Sequence, residues 1–140
     1  MVIAVSACLL GDNCKYNGGN NYNQKVADFV RGHDIIPICP EVLGGLSTPR
    51  EPAEIVDGVV RHKDGSSVDT EFRKGAGLAM QKVLESHAEL VILQSRSPSC
   101  GVNEIYDGTF SGRKVKGQGV FAELLKKEGI PMKDAEDLFK

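Results

Sequence analysis

Apolar residues gather in short, near-continuous runs along this chain, and each run breaks into a polar, turn-forming stretch. Val2 to Ala7, Asp34 to Ile38 and Glu89 to Gln94 are such runs, the last with Leu-Val-Ile-Leu at its centre. Runs this short and apolar predict strands buried on both faces, as in a parallel sheet. Ile130 to Met132 is a candidate for a last short strand. Between the runs the apolar period becomes that of a helix. Gln24 to Arg31 carries Val26, Ala27, Phe29 and Val30 and stops at Gly32. Asp69 to His87 places Phe72, Ala76, Ala79, Met80, Val83 and Leu84 on one face. Gly119 to Lys127 turns Val120, Phe121, Leu124 and Leu125 inward before Gly129, and Asp134 is placed to cap a terminal helical turn. Asp-Gly pairs predict a small hairpin over Glu54 to Asp64 and a second turn region over Ile105 to Lys116. The alternation predicts an α/β fold: one compact, Rossmann-like three-layer domain over residues 1–140, with a mostly parallel sheet and small hairpin insertions.

Composition narrows the function. At 140 residues, with 41% hydrophobic and 26% charged, the chain has enough apolar surface for an ordinary core. Seventeen Lys and Arg against 19 Asp and Glu leave a formal charge of −2, which argues against nucleic acid or an anionic membrane as a partner held by bulk charge. With no Trp, three Tyr and five Phe, obvious platforms for stacking bases are missing. No apolar run is long enough to span a membrane, and the N-terminus lacks the basic-then-apolar form of a signal peptide. A cytoplasmic location is expected. In that reducing compartment, Cys8, Cys14, Cys39 and Cys100 are not expected to form disulfides.

Cys8, Cys39 and Cys100 each fall at or just after the end of a predicted strand. Parallel sheets place their sites beyond the carboxyl ends of the strands, so the fold would bring these three together. Three thiolates from three loops suit a metal centre with one position left open. The plainer alternative is that each is a small buried hydrophobe. A Cys-based phosphatase or arsenate reductase loop is excluded, because the residues six beyond Cys8, Cys39 and Cys100 are Cys14, Gly45 and Tyr106, and none is the required Arg.

The motifs around these cysteines carry a family resemblance. Val5-Ser-Ala-Cys8-Leu-Leu-Gly11, Cys39-Pro-Glu41-Val-Leu-Gly-Gly-Leu-Ser-Thr-Pro-Arg50 and Ser97-Pro-Ser-Cys100-Gly101 together resemble the 2-thiouracil desulfidase family. The likeness continues through Val68-Asp-Thr70, Gly108-Thr-Phe110 and Gly117-Gln-Gly119-Val120. It implies a [4Fe-4S] cluster bound by Cys8, Cys39 and Cys100, with a fourth iron open for a thione sulfur. The implied reaction turns a small-molecule thiobase, 2- or 4-thiouracil, into uracil and hydrogen sulfide without net redox chemistry. The resemblance carries catalytic roles onto Glu41 and Ser97.

Chemistry supports those roles on its own terms. Replacing C=S by C=O needs a Lewis acid on sulfur and water at carbon, and a carboxylate close to a cluster ligand can deprotonate that water. Glu41 is so placed; its other reading is a helix-start acid. Ser97 can hold the substrate or the water, or serve only as a turn residue before Pro98. Cys14 is a fourth ligand, a sulfur acceptor or a buried thiol, and is set aside as a ligand because a loop rich in Asn and Gly separates it from Cys8. Lys15, Tyr16, Arg50 and Arg96 are candidates for the pocket lining or for the solvated surface, and His33, His62 and His87 are expected to be exposed. Two rival functions stand beside desulfuration: sulfur transfer or modification of a tRNA thiobase, and a non-catalytic iron–sulfur or zinc-binding module.

Overall fold

The computed structural model of the chain describes residues 1–138; Phe139 and Lys140, the end of the expected domain, lie outside the described residues. The strands are β1 (Val2–Ser6), β2 (Asp34–Ile38), β3 (Ala53–Val56), β4 (Val59–His62), β5 (Leu90–Leu93), β6 (Glu104–Tyr106), β7 (Lys114–Lys116) and β8 (Met132–Asp134). The helices are α1 (Gln24–Val30), α2 (Pro40–Leu43), α3 (Asp69–Ser86) and α4 (Val120–Lys127). Four strands form one sheet in the order β2-β1-β5-β8, with every neighbouring pair parallel. Ile3 of β1 lies level with Ile35 and Leu90, and Val5 with Pro37 and Ile92. A proline is tolerated in β2 because that strand forms an edge.

Side chains alternate across the central strands and so bind two layers of helix. Ile3, Val5 and Ile92 meet Val26 and Val30 of α1 on one face. Ala4, Val91 and Leu93 meet Phe72, Ala76 and Val83 of α3 and Phe121 and Leu125 of α4 on the other. Each fully buried large side chain among these contributes about 1.5–3 kcal/mol. The expected three-layer α/β architecture is present. Among the described residues no helix is long and apolar enough to cross a membrane.

The hairpins are insertions outside this sheet. Asp57 and Gly58 both take left-handed backbone, at φ 49° and 81°, and turn β3 tightly into β4. The connection from β6 to β7 is longer, running from Asp107 to Arg113. Asp134 caps a 3-10 turn at Ala135–Asp137, its side chain accepting from the Glu136 N–H at 2.8 Å.

The helix α2 has no counterpart in the periodic pattern, since four residues are too few to show one. It starts where Pro40 stands at a first helical position, and it is pressed onto α3 through two glycines. A Cβ on Gly75 would lie 1.8 Å from the Pro40 carbonyl oxygen, and one on Gly44 would lie 2.0 Å from that of Glu71. Backbone meets backbone there, which fixes the turn that carries Cys39 and Glu41.

Candidate active site

The chain leaves β1 toward β2 on one side of the sheet and reaches β5 on the other, so the strand order switches between β1 and β5. Crevices for ligands open at such a point, outside the carboxyl ends of the strands. A cavity of about 660 Å³ opens there, with Ser6, Ile38 and Gln94 at its floor where β1, β2 and β5 end. Cys8, Cys39 and Cys100 all line it, brought from three separate loops as the sequence predicts. Cys8 and Cys39 are half-buried and Cys100 is buried. Among the described residues no three His, Cys, Asp or Glu side chains close on a point as a single ion's shell would require.

Cys14 lines the same cavity, which the sequence does not reveal. Its loop is folded back by Arg50, whose Nη2 donates to the Cys14 carbonyl at 2.9 Å. The Cys14 thiol hydrogen-bonds to both Cys8 and Cys39. Those bonds hold Cys8 and Cys39 below the ordinary thiol range against the opposing effect of burial, Cys39 to about 7. The same bonds push Cys14 up. Burial pushes the Cys100 thiol up to about 12, against hydrogen bonds to Ser6 and Ser99. Asn21 Nδ2 donates to Cys8 Sγ at 3.5 Å.

Glu41 stands in the first turn of α2 with both oxygens engaged. Arg50 Nε donates to Oε1 at 3.1 Å and Ser99 Oγ to Oε2 at 2.8 Å. The Arg50 and Glu41 side chains are 7% and 15% exposed, so this ion pair is largely withdrawn from solvent, where breaking one partner is costly. Arg50 Nη1 also donates to the Ser47 carbonyl and to Thr48 Oγ1.

Ser97 lines the cavity, but its hydroxyl is turned to its own loop. Its Oγ accepts from the Ser99 N–H at 3.1 Å and the Cys100 N–H at 3.0 Å, and lies 2.9 Å from Ser99 Oγ. Ser99 is the serine that touches Glu41. The Pro98 and Ser99 carbonyls accept from the Val120 and Phe121 N–H groups, both at 2.9 Å, and so satisfy the start of α4. Gly119 allows that contact, since a Cβ there would lie 2.5 Å from the Ser99 carbonyl carbon. Of the two readings open for Lys15, Tyr16, Arg50 and Arg96, the cavity lining holds: all four border it, and no histidine does among the described residues. Arg96 is tied away from it, donating to both oxygens of Glu136 at 2.8 Å.

The family model for 2-thiouracil desulfurase matches residues 3–137. This chain belongs to that family. The desulfurase-family chain is 42% identical to the uncharacterized protein YbbK of Bacillus subtilis (strain 168), over 91% of each sequence. Its fold matches the solved structure of TudS, a [4Fe-4S]-dependent thiouracil desulfidase, with a TM-score of 0.90 and 39% identity. That match covers 97% of this chain and 91% of the other.

Three features of the site escaped the sequence reading. Ser99 and Ser97 are two residues apart in one motif, and only the loop's hydrogen bonds decide which faces the carboxylate. Arg50 ends the motif that Cys39 begins, which marks it as a site residue without revealing Glu41 as its partner. Cys14, set aside as a ligand for the loop that separates it from Cys8, is brought beside Cys8 and Cys39 by Arg50, which grips its carbonyl.

Proposed function

We propose that this protein removes sulfur from a thiolated pyrimidine, 2- or 4-thiouracil, releasing uracil and hydrogen sulfide with the help of a [4Fe-4S] cluster held by Cys8, Cys39 and Cys100. The observation that carries the reading is the convergence of these three thiols on one cavity beside a carboxylate fixed at both oxygens. The donor set suits the group: soft thiolates select iron–sulfur clusters, and Cys8, Cys39 and Cys100 would hold one while leaving a position free for substrate. A cavity of about 660 Å³ also lies within the usual range for a small-molecule site. When bound, the cluster supplies Lewis acidity toward the thione sulfur.

The chain's own residues supply the rest. Glu41 is the general base: it takes a proton from the water whose oxygen bonds to the ring carbon. The C–S bond then breaks, sulfur leaves as hydrosulfide, and a proton completes hydrogen sulfide. Water supplies oxygen and hydrogen, so no oxidant or reductant enters. Arg50 and Ser99 keep the Glu41 carboxylate from rotating. Ser97 acts through Ser99, ordering the hydroxyl that reaches Glu41 and the N–H groups that flank Cys100. Cys14 lies beside the ligands without being one.

The test is anaerobic incubation of cluster-loaded protein with 2-thiouracil and 4-thiouracil, with uracil and sulfide both quantified. Equal amounts of the two products over repeated turnovers are expected. A loaded protein that releases neither is a binding module, and the desulfidase reading falls.

A further inference from the structure

We propose that Phe110 is the wall on which the substrate's pyrimidine ring stacks, and that Glu54 is the residue that positions it. The proposal deepens the desulfidase reading and rests on it. Phe110 borders the cavity from the turn between β6 and β7, and it is half-buried. It belongs to neither of the two apolar clusters that form the core, so its ring is not placed there to fill the interior. Its backbone is left-handed, at φ 57°, which a bulky side chain adopts only where its surroundings enforce it.

The enforcement comes from the other hairpin. Glu54 on β3 accepts at one oxygen, Oε1, from the Gly108 N–H at 2.9 Å and the Phe110 N–H at 3.2 Å. Asp107 Oδ1 accepts from the Thr109 N–H at 2.9 Å and closes the turn from within. Gly108 is pressed against β3, where a Cβ would lie 2.8 Å from the Ile55 carbonyl oxygen. Two hairpins outside the main sheet are thus fastened together at the residue that faces the cavity.

Two other aromatics border the cavity, Tyr16 and Tyr106, but each is engaged elsewhere. Tyr106 hydrogen-bonds to Arg96, and Tyr16 is 41% exposed beneath Lys15 Nζ, which sits 5.8 Å from its ring centre. Phe110 presents a flat apolar face held at fixed backbone geometry. A neutral heterocycle offers a π-face of the same kind, and stacking on an aromatic ring needs no particular pattern of donors. Glu54 never has to touch the substrate to matter.

Holoenzyme variants test this, with uracil as a non-reacting probe of binding and 2-thiouracil as substrate, under anaerobic conditions. Phe110→Leu keeps apolar bulk without the ring. It should raise the uracil Kd and the 2-thiouracil KM by roughly 5- to 150-fold, with kcat falling by less, as loss of one stacking contact predicts. Phe110→Tyr should stay within about threefold of wild type. Glu54→Ala should repeat the Phe110→Leu defect in KM, and Glu54→Gln should restore it, because an amide oxygen accepts the same two bonds. Iron and sulfide content should be unchanged throughout. Wild-type Kd and KM in Phe110→Leu would overturn the stacking wall, and wild-type KM in Glu54→Ala would overturn the positioning role. Wild-type protein that releases no sulfide contradicts the underlying desulfidase reading instead, and the stacking proposal falls with it.

Discussion

Both oxygens of Glu41 are committed, one to Arg50 and one to Ser99, and this clamp sets expectations for single residues. Glu41→Gln keeps the shape of the side chain and removes its basicity. Cluster content should match wild type while turnover falls by about a hundred- to ten-thousand-fold. Activity within about threefold of wild type would remove Glu41 as the base. Ser99→Ala deletes the hydroxyl on Oε2 and should cost roughly 10- to 150-fold in kcat, the scale of a hydrogen bond to a charged group. Before the cluster is loaded, thiol reactivity should follow the local environments. The thiolate is the reactive form, so alkylation of Cys39 by iodoacetamide should rise with pH through about 7 and then level off. Cys100, buried and pushed up to about 12, should stay protonated and protected over the same range. Peptide mass spectrometry after brief labelling at neutral pH reads the order; Cys100 labelled before Cys39 would contradict these assignments. At this scale the sequence named Cys8, Cys39, Cys100 and Glu41 as site residues, and all four border one cavity. It could not separate Ser97 from Ser99, because both hydroxyls belong to one tight turn whose hydrogen bonds are invisible in the residue order.

The elements were legible where their pattern was long or their turn chemistry explicit. Buried strands showed as apolar runs, and Asp57-Gly58 announced its hairpin through a turn that needs left-handed backbone. What the pattern could not show was α2, which exists because Gly44 and Gly75 let it sit directly on α3. That packing is open to a paired test within one helix. Gly75→Ala forces a Cβ to 1.8 Å from the Pro40 carbonyl oxygen, so it should destabilise the protein by about 1–3 kcal/mol and loosen the Cys39–Glu41 turn. Gly77→Ala, two residues on, meets nothing within 4 Å and should stabilise by about 0.4–1 kcal/mol through helix propensity and a less flexible unfolded chain. Denaturant midpoints measure both. Equal effects would mean that the α2–α3 contact does not hold the site in place.

Across the whole molecule, the strand order decides where chemistry can occur. The switch between β1 and β5 opens a cavity at the one edge of the sheet where three loops deliver thiols. That convergence could be read from the chain, since cysteines after buried strands share an edge whatever the order of those strands. The chain has few aromatics, yet three of them, Tyr16, Tyr106 and Phe110, border the same cavity. Placement matters there more than number. The central claim is that Cys8, Cys39 and Cys100, and not Cys14, hold the cluster. The measurement that tests it most directly is the iron and acid-labile sulfide content of anaerobically reconstituted wild-type protein and of the four single Cys→Ser variants. Wild type and Cys14→Ser should each carry about four iron and four sulfide per chain, while Cys8→Ser, Cys39→Ser and Cys100→Ser should lose the cluster. A fully loaded Cys39→Ser protein, or a Cys14→Ser protein unable to load, would contradict the account.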